Sequence, residues 1–115
     1  MVPAVHGEGL DRGRLASATL AALAAIAAAQ LADLTTFLRM ISVGGLAAEA
    51  NPIVVHIEAT LGLATLVALK LSLIPFLALV FAALARVRQG LAASVLTVAT
   101  LAGLVGALTN ILTIA

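Results

Sequence analysis

Three polar side chains, Asp33, Lys70 and Asn110, stand inside stretches that are otherwise apolar and helical in pattern. An unpaired Asp or Lys at the centre of a helix in lipid costs roughly 2.5–3.5 kcal/mol on insertion scales. Lys70 has Leu66, Val67, Leu73 and Ile74 at three and four residues along its helix, the positions that share its face. None can compensate its charge, so its partner must come from elsewhere. Asp33 has Gln30 and Thr36 on its own face. The economical solution is an Asp33–Lys70 ion pair, with Gln30, Thr36 or Asn110 filling the remaining hydrogen bonds. Such a cluster has three readings. It fixes the register of the helices, it forms a site for an ion, a proton or a polar ligand, or Lys70 snorkels outward or faces a partner protein.

Other constellations are weaker. Glu49, Asn51, Pro52 and His56 lie together in one polar segment with Glu58. With Asp33 they offer oxygen and nitrogen ligands, but their spacing matches no metal motif such as H-E-x-x-H, so no metal is expected. The absence of cysteine excludes disulfides, thiol catalysis and thiolate metal sites. There is no G-x-S-x-G, no credible Ser-His-Asp spacing and no phosphate-cradling loop. No catalytic residue, enzymatic activity or cofactor is expected. Ala99, Gly103 and Gly106 share a face with Leu96 and Asn110, and small residues at this spacing let helices approach closely in lipid.

The elements that carry these residues follow from composition. Of 115 residues, 63% are hydrophobic and only 10% charged, with a mean hydropathy of +1.25. A soluble domain carries about a quarter charged residues, so most of this surface must face lipid. A net charge of +1 gives no electrostatic case for nucleic acid. Residues 1–14 read as a polar, solvated tail, and residues 15–115 as one transmembrane domain. The apolar pattern predicts helices over about 15–41, 52–85 and 91–115, against the roughly 20 residues a crossing needs. A cleaved signal peptide competes for the first stretch, but its apolar character runs on through Ile41. Residues 42–51 form a turn or short loop broken at Gly44-Gly45. Asn51-Pro52 predicts a capped helix start, giving a short interfacial helix before the second crossing. Pro75 predicts a kink in that crossing, and residues 86–90 a tight basic turn.

The expected fold is therefore all-α and integral to the membrane, with three transmembrane helices. Arg12 and Arg14 precede the first crossing, and Arg86 and Arg88 join the second to the third. Both pairs fall on one side, which the positive-inside rule makes cytoplasmic. The N-terminus is then cytoplasmic and the C-terminus outside. Arg39 snorkels from a helix end. On this layout Asp33, Lys70 and Asn110 lie at matched depth in the outer half.

The run Asp33-Leu-Thr-Thr36, then Gly44-Gly45, Glu49-Ala-Asn51-Pro52 and Lys70 resembles a family of small prokaryotic membrane proteins grouped as a domain of unknown function. The resemblance covers roughly Gln30 onward, and E-x-N-P is its most specific part. It implies a three- or four-helix membrane fold with Asp33, Glu49, Asn51 and Lys70 close together, and no activity to carry over. The expected role is an accessory or structural subunit of the prokaryotic cytoplasmic membrane. Its partners would be the lipid bilayer and other transmembrane subunits or copies of itself. The alternative is a homo-oligomeric transporter or channel-like protein with an Asp33/Lys70 polar site. A phage-type membrane-lesion protein is a third reading, compatible with size and helix count alone.

Overall fold

Runs of alanine and leucine favour helix at nearly every position, and in lipid a helix satisfies all its backbone groups internally. The computed structural model describes residues 2–45, 49 and 51–115, with side chains described from residue 12 onward. Four helices follow in order: α1 Val2–Gly44, α2 Pro52–Leu61, α3 Leu63–Val87 and α4 Gln89–Ile114. Three helices, those holding 12–44, 63–87 and 89–114, are long and apolar enough to cross a membrane.

Helix boundaries bear on the sequence reading at three places. The stretch read as a tail, 1–14, is helical from Val2 and continuous with the first crossing. Extending an existing helix avoids the cost of nucleation, and Pro3 sits in the first turn, where its missing N–H removes no intrahelical bond. Next, the short helix expected before the second crossing is present as α2, so the span 52–85 is two helices parted at Gly62, whose φ of 90° and ψ of 161° suit a residue without Cβ. Gly62 N–H still donates to Glu58 O at 2.9 Å, and its carbonyl accepts from Leu66 N–H at 3.2 Å. α3 meanwhile continues across Pro75. Finally, the basic turn shrinks to Arg88 alone between α3 and α4. The expected loop over 42–51 falls partly outside the described residues. Gly44 belongs to α1, and Gly45 follows it at a φ of 68°.

Contacts fix the arrangement. Ala22 and Ile26 of α1 cluster with Phe81 of α3 and with Ala92 and Ala99 of α4. Further along α1, Phe37 and Met40 cluster with Leu66 of α3, and Val54 and Ile57 of α2 pack against them. α1 and α4 therefore run parallel, and α3 runs antiparallel between its two turns. The most extensive contact joins α1 to α4. Its seam is made of small residues: Ala22, Ala29, Ala92, Ala99, Gly103 and Ala107 are all buried. A Cβ added at Gly103 would lie 2.7 Å from the backbone carbonyl carbon and oxygen of Ala29. Without a hydrophobic drive between helices in lipid, such close packing supplies much of the cohesion.

Gly103→Leu should therefore force α1 and α4 apart. Overpacking of this kind costs about 1–3 kcal/mol. Leu108→Ala, on the exposed flank of α4, should stay within about 0.5 kcal/mol. Thermal or denaturant unfolding in detergent, followed by circular dichroism, distinguishes them. Equal stability for both variants would mean that Gly103 does not lie in a close seam.

Candidate functional site

Between the two apolar clusters lies one polar layer. Asp33 is on α1, held level with the middle of α3 and the end of α4 by the seam described above. Lys70 Nζ donates to Asp33 Oδ2 at 3.1 Å, and the two side chains are 17% and 21% exposed respectively. Asn110 is buried and turns its amide toward the same place. Its Nδ2 donates to Asp33 Oδ1 at 3.3 Å, to the Asp33 carbonyl at 3.2 Å and to Thr36 Oγ1 at 3.0 Å. Thr36 Oγ1 in turn donates to the carbonyls of Ala32 and Asp33, at 2.7 and 3.1 Å. Each carboxylate oxygen thus has a donor from a different helix. Charge-assisted bonds of this kind are roughly twice as strong as neutral ones.

Gln30 stands one turn earlier on α1 and does not join this set. Its Nε2 donates to the Ala99 carbonyl of α4 at 2.9 Å. Gln30 and Asp33 therefore tie α1 to two levels of α4, and Lys70 ties it to α3.

Two contributors escape a reading based on polar residue types. Lys70 Nζ lies 4.7 Å from the ring centroid of Phe37, within the roughly 6 Å over which a cation is attracted to an aromatic face. Phe37 is four residues from Asp33 and so on its helical face, and that spacing is the signal that could have found it. The other is Gly106. A Cβ there would collide with Asp33 Oδ1 and lie 2.9 Å from its Cγ. Gly106 is thus the space in which the carboxylate sits. Ala99, Gly103 and Gly106 share a face as their spacing suggests, but they act differently. Ala99 lends a carbonyl, Gly103 admits the α1 backbone and Gly106 admits the carboxylate.

The Glu49–His56 segment forms a second, separate group. Glu49 Oε1 accepts from Asn51 N–H at 2.9 Å, and Asn51 Oδ1 accepts from Ile53 N–H at 3.0 Å. Asn51 is the N-cap of α2, with Pro52 in its first turn. His56 is exposed, and its carbonyl accepts from Thr60 Oγ1 at 2.8 Å. Among the described residues no hydrogen bond or ion pair joins this group to Asp33 or Lys70. The resemblance implies Asp33, Glu49, Asn51 and Lys70 close together; among the described residues their hydrogen bonds fall into two local sets. No three His, Cys, Asp or Glu side chains among the described residues are grouped to hold a metal ion.

Compared with family models, with curated proteins and with solved structures, the chain gives no match. Its chemistry has to be read from its own residues. What the cluster does physically is hold one carboxylate between an ammonium and one amide N–H, with the ammonium also resting over an aromatic face.

Removing one member strands the other. Asp33→Asn leaves Lys70 without a counter-ion, and Lys70→Met leaves the carboxylate on Asn110 alone. Breaking a buried pair costs about 3–5 kcal/mol, lessened where the stranded group sheds its charge. Each single substitution should lower the folded yield in detergent, and the double substitution should recover part of the loss. Additive losses in the double variant would mean that the two side chains are not coupled.

Proposed function

We propose that this chain is a small accessory subunit of the prokaryotic cytoplasmic membrane, without catalytic chemistry of its own. It packs its crossing helices against other transmembrane subunits or copies of itself. The observation that carries this reading is that the charges of the polar cluster are paired inside the bundle. Asp33, Lys70, Asn110 and Thr36 satisfy one another within the bundle, and the outward faces of the crossings carry residues such as Leu79, Val98, Val105 and Leu112, all exposed. Between Asp33 and Arg14 on α1, between Lys70 and Arg86 on α3, and from Gln89 to Asn110 on α4, the sequence holds no ionisable residue. An ion or proton moving inward from the cluster would cross that apolar stretch without a relay.

The proposed orientation places Arg12, Arg14, Arg86 and Arg88 in the cytoplasm, because basic residues are retained there. All four are exposed. The C-terminus then lies outside and α2 lies along the outer interface. α1 has 43 residues, about 65 Å of helix at 1.5 Å each, against a hydrocarbon core of about 30 Å. Ala22 packs beside Leu84, Ala85 and Ala92, which flank the α3–α4 turn, so the earlier part of α1 projects beyond that turn. Residues 12–18 are all exposed. This projecting arm gives a partner a second surface besides the crossings. The D-x-T-T, E-x-N-P and Lys pattern, which resembles that of small membrane proteins without an assigned activity, supports the same reading.

A second reading, a homo-oligomeric transporter or channel with Asp33 and Lys70 on a polar path, is favoured by the partial exposure of both side chains. Two measurements separate the readings. Mild extraction followed by mass determination should give a particle heavier than the 11.5 kDa chain, with defined companions or copies. Purified protein in sealed vesicles should pass no ions. Ion flux abolished by Asp33→Asn would establish the transporter instead, and a lone chain in detergent would overturn the subunit reading.

Orientation has its own test. Cysteines placed at Gly44 and at Gln89, in a sequence that has none, should react with an impermeant thiol reagent from opposite sides. Reaction of both from one side would overturn the three-crossing layout.

A further inference from the structure

Between α3 and α4 opens a cleft of about 550 Å³. Leu73 and Leu77 line one wall, Val98 and Ala102 the other, and Gln30 and Asp33 of α1 form its floor. Leu73 and Val98 are 43% and 67% exposed, so the bundle does not close the outer edge. In a bilayer that edge faces lipid. The volume falls within the roughly 300–1,000 Å³ of small-molecule sites, which combine apolar walls with a few placed polar groups.

The floor selects the occupant. Gln30 is nine-tenths buried, and its Nε2 is bonded to the Ala99 carbonyl. No donor among the described residues reaches its Oε1, which is not sealed off by them either. An amide oxygen left unbonded in an apolar medium is costly, and the hydrocarbon supplies no water to bond it. Asp33 lines the same floor, and a carboxylate keeps lone pairs beyond those used by Lys70 and Asn110. The floor therefore calls for a hydrogen-bond donor.

Charge and depth narrow the class. Lys70 already balances Asp33 at 3.1 Å, so a cationic head group would add an uncompensated charge and an anionic one would meet the carboxylate. About 16 Å of helix separate Asp33 from Gly44 at the end of α1. A phosphate head group at that depth would forfeit the hydration of its charge, whereas a hydroxyl forfeits far less and regains a hydrogen bond at the floor. We propose that the cleft binds an uncharged long-chain alcohol lipid. Its chain lies between α3 and α4 and its hydroxyl donates to Gln30 Oε1.

The test uses the whole purified chain in detergent with isotopically labelled 1-hexadecanol, and measures retained label under competition. Competitors are unlabelled hexadecanol, methyl hexadecyl ether, hexadecylamine and palmitate. The ether keeps the chain and the oxygen but has no donor. Saturable retention is expected, with hexadecanol displacing label at least about fivefold better than the ether, the worth of one neutral hydrogen bond. Hexadecylamine and palmitate should also compete less well than the alcohol. Ala102→Phe fills the cleft without replacing any residue of the polar cluster and should abolish retention while helicity is unchanged. Gln30→Leu, where it folds, should bind alcohol and ether alike. Overturning results are label that only partitions into micelles without saturation, an ether, amine or acid that competes as well as the alcohol, or undiminished retention by Ala102→Phe.

Discussion

The Asp33 carboxylate has to find its donors inside a bundle that has almost no other polar side chain to give it. In water this group would need no partner, but in lipid each of its oxygens needs one, and its charge needs a counter-charge. The structure answers with one group from each of the other two long helices: Lys70 on one oxygen and Asn110 on the other. These bonds allow little freedom. A shift of α4 by one turn, about 5.4 Å, would carry Asn110 away from Asp33 and bring a side chain where Gly106 now leaves room. The polar layer therefore fixes a register that small residues alone would leave loosely specified, because alanine faces look alike at successive turns. Two apolar clusters flank the layer, one around Ile26 and Phe81 and the other around Phe37, Met40 and Leu66. They keep the surroundings dry and so strengthen the electrostatics within.

Much of this was legible in the sequence, and the reasons differ from residue to residue. Asp33 and Lys70 stood out because any charge in an apolar helix requires an explanation, and equal depth made each the natural partner of the other. Asn51-Pro52 announced the start of α2 because an Asx side chain and an imino acid have unusual local roles at a helix N-terminus. The partner of Gln30 was not legible. The expectation grouped it with Asp33 through its spacing on α1, but its amide bonds a backbone carbonyl. A carbonyl leaves no mark in the residue alphabet, and only the smallness of Ala99 leaves it accessible. Phe37 was passed over because an apolar residue among apolar residues draws no attention, although its face meets Lys70.

Breaks were harder to read than contacts. Pro75 is expected to kink the second crossing without ending it, and α3 does run across it, since one lost backbone bond can be tolerated where neighbouring groups compensate. Gly62 is the quieter signal, and the chain breaks there because its conformation excludes a side chain. The separation lets α2 pack against the cluster of Phe37, Met40 and Leu66 through Val54 and Ile57 instead of prolonging α3. At the other end, polar residues in 1–14 suggested a tail. A polar composition says where a segment is solvated, but it does not say that a helix already under way must stop.

The cleft between α3 and α4 follows from two contact chemistries that cannot both be met along the same stretch. α4 lies close against α1 through alanine and glycine, where a Cβ can touch the opposing backbone. α3 offers α1 a lysine at one level and Phe81 at another, and long side chains hold helix axes apart. The ammonium of Lys70 sits at the end of a four-carbon stem and reaches α1 with Nζ at 3.1 Å from Oδ2 and over the Phe37 ring. The space left between α3 and α4 falls beside Leu73 and Leu77, between the Phe81 contact and the lysine, and Gln30 and Asp33 form its floor. Lys70 thus ties α3 to α1 at the level of Asp33, and the same carboxylate lies on the floor of the cleft between α3 and α4.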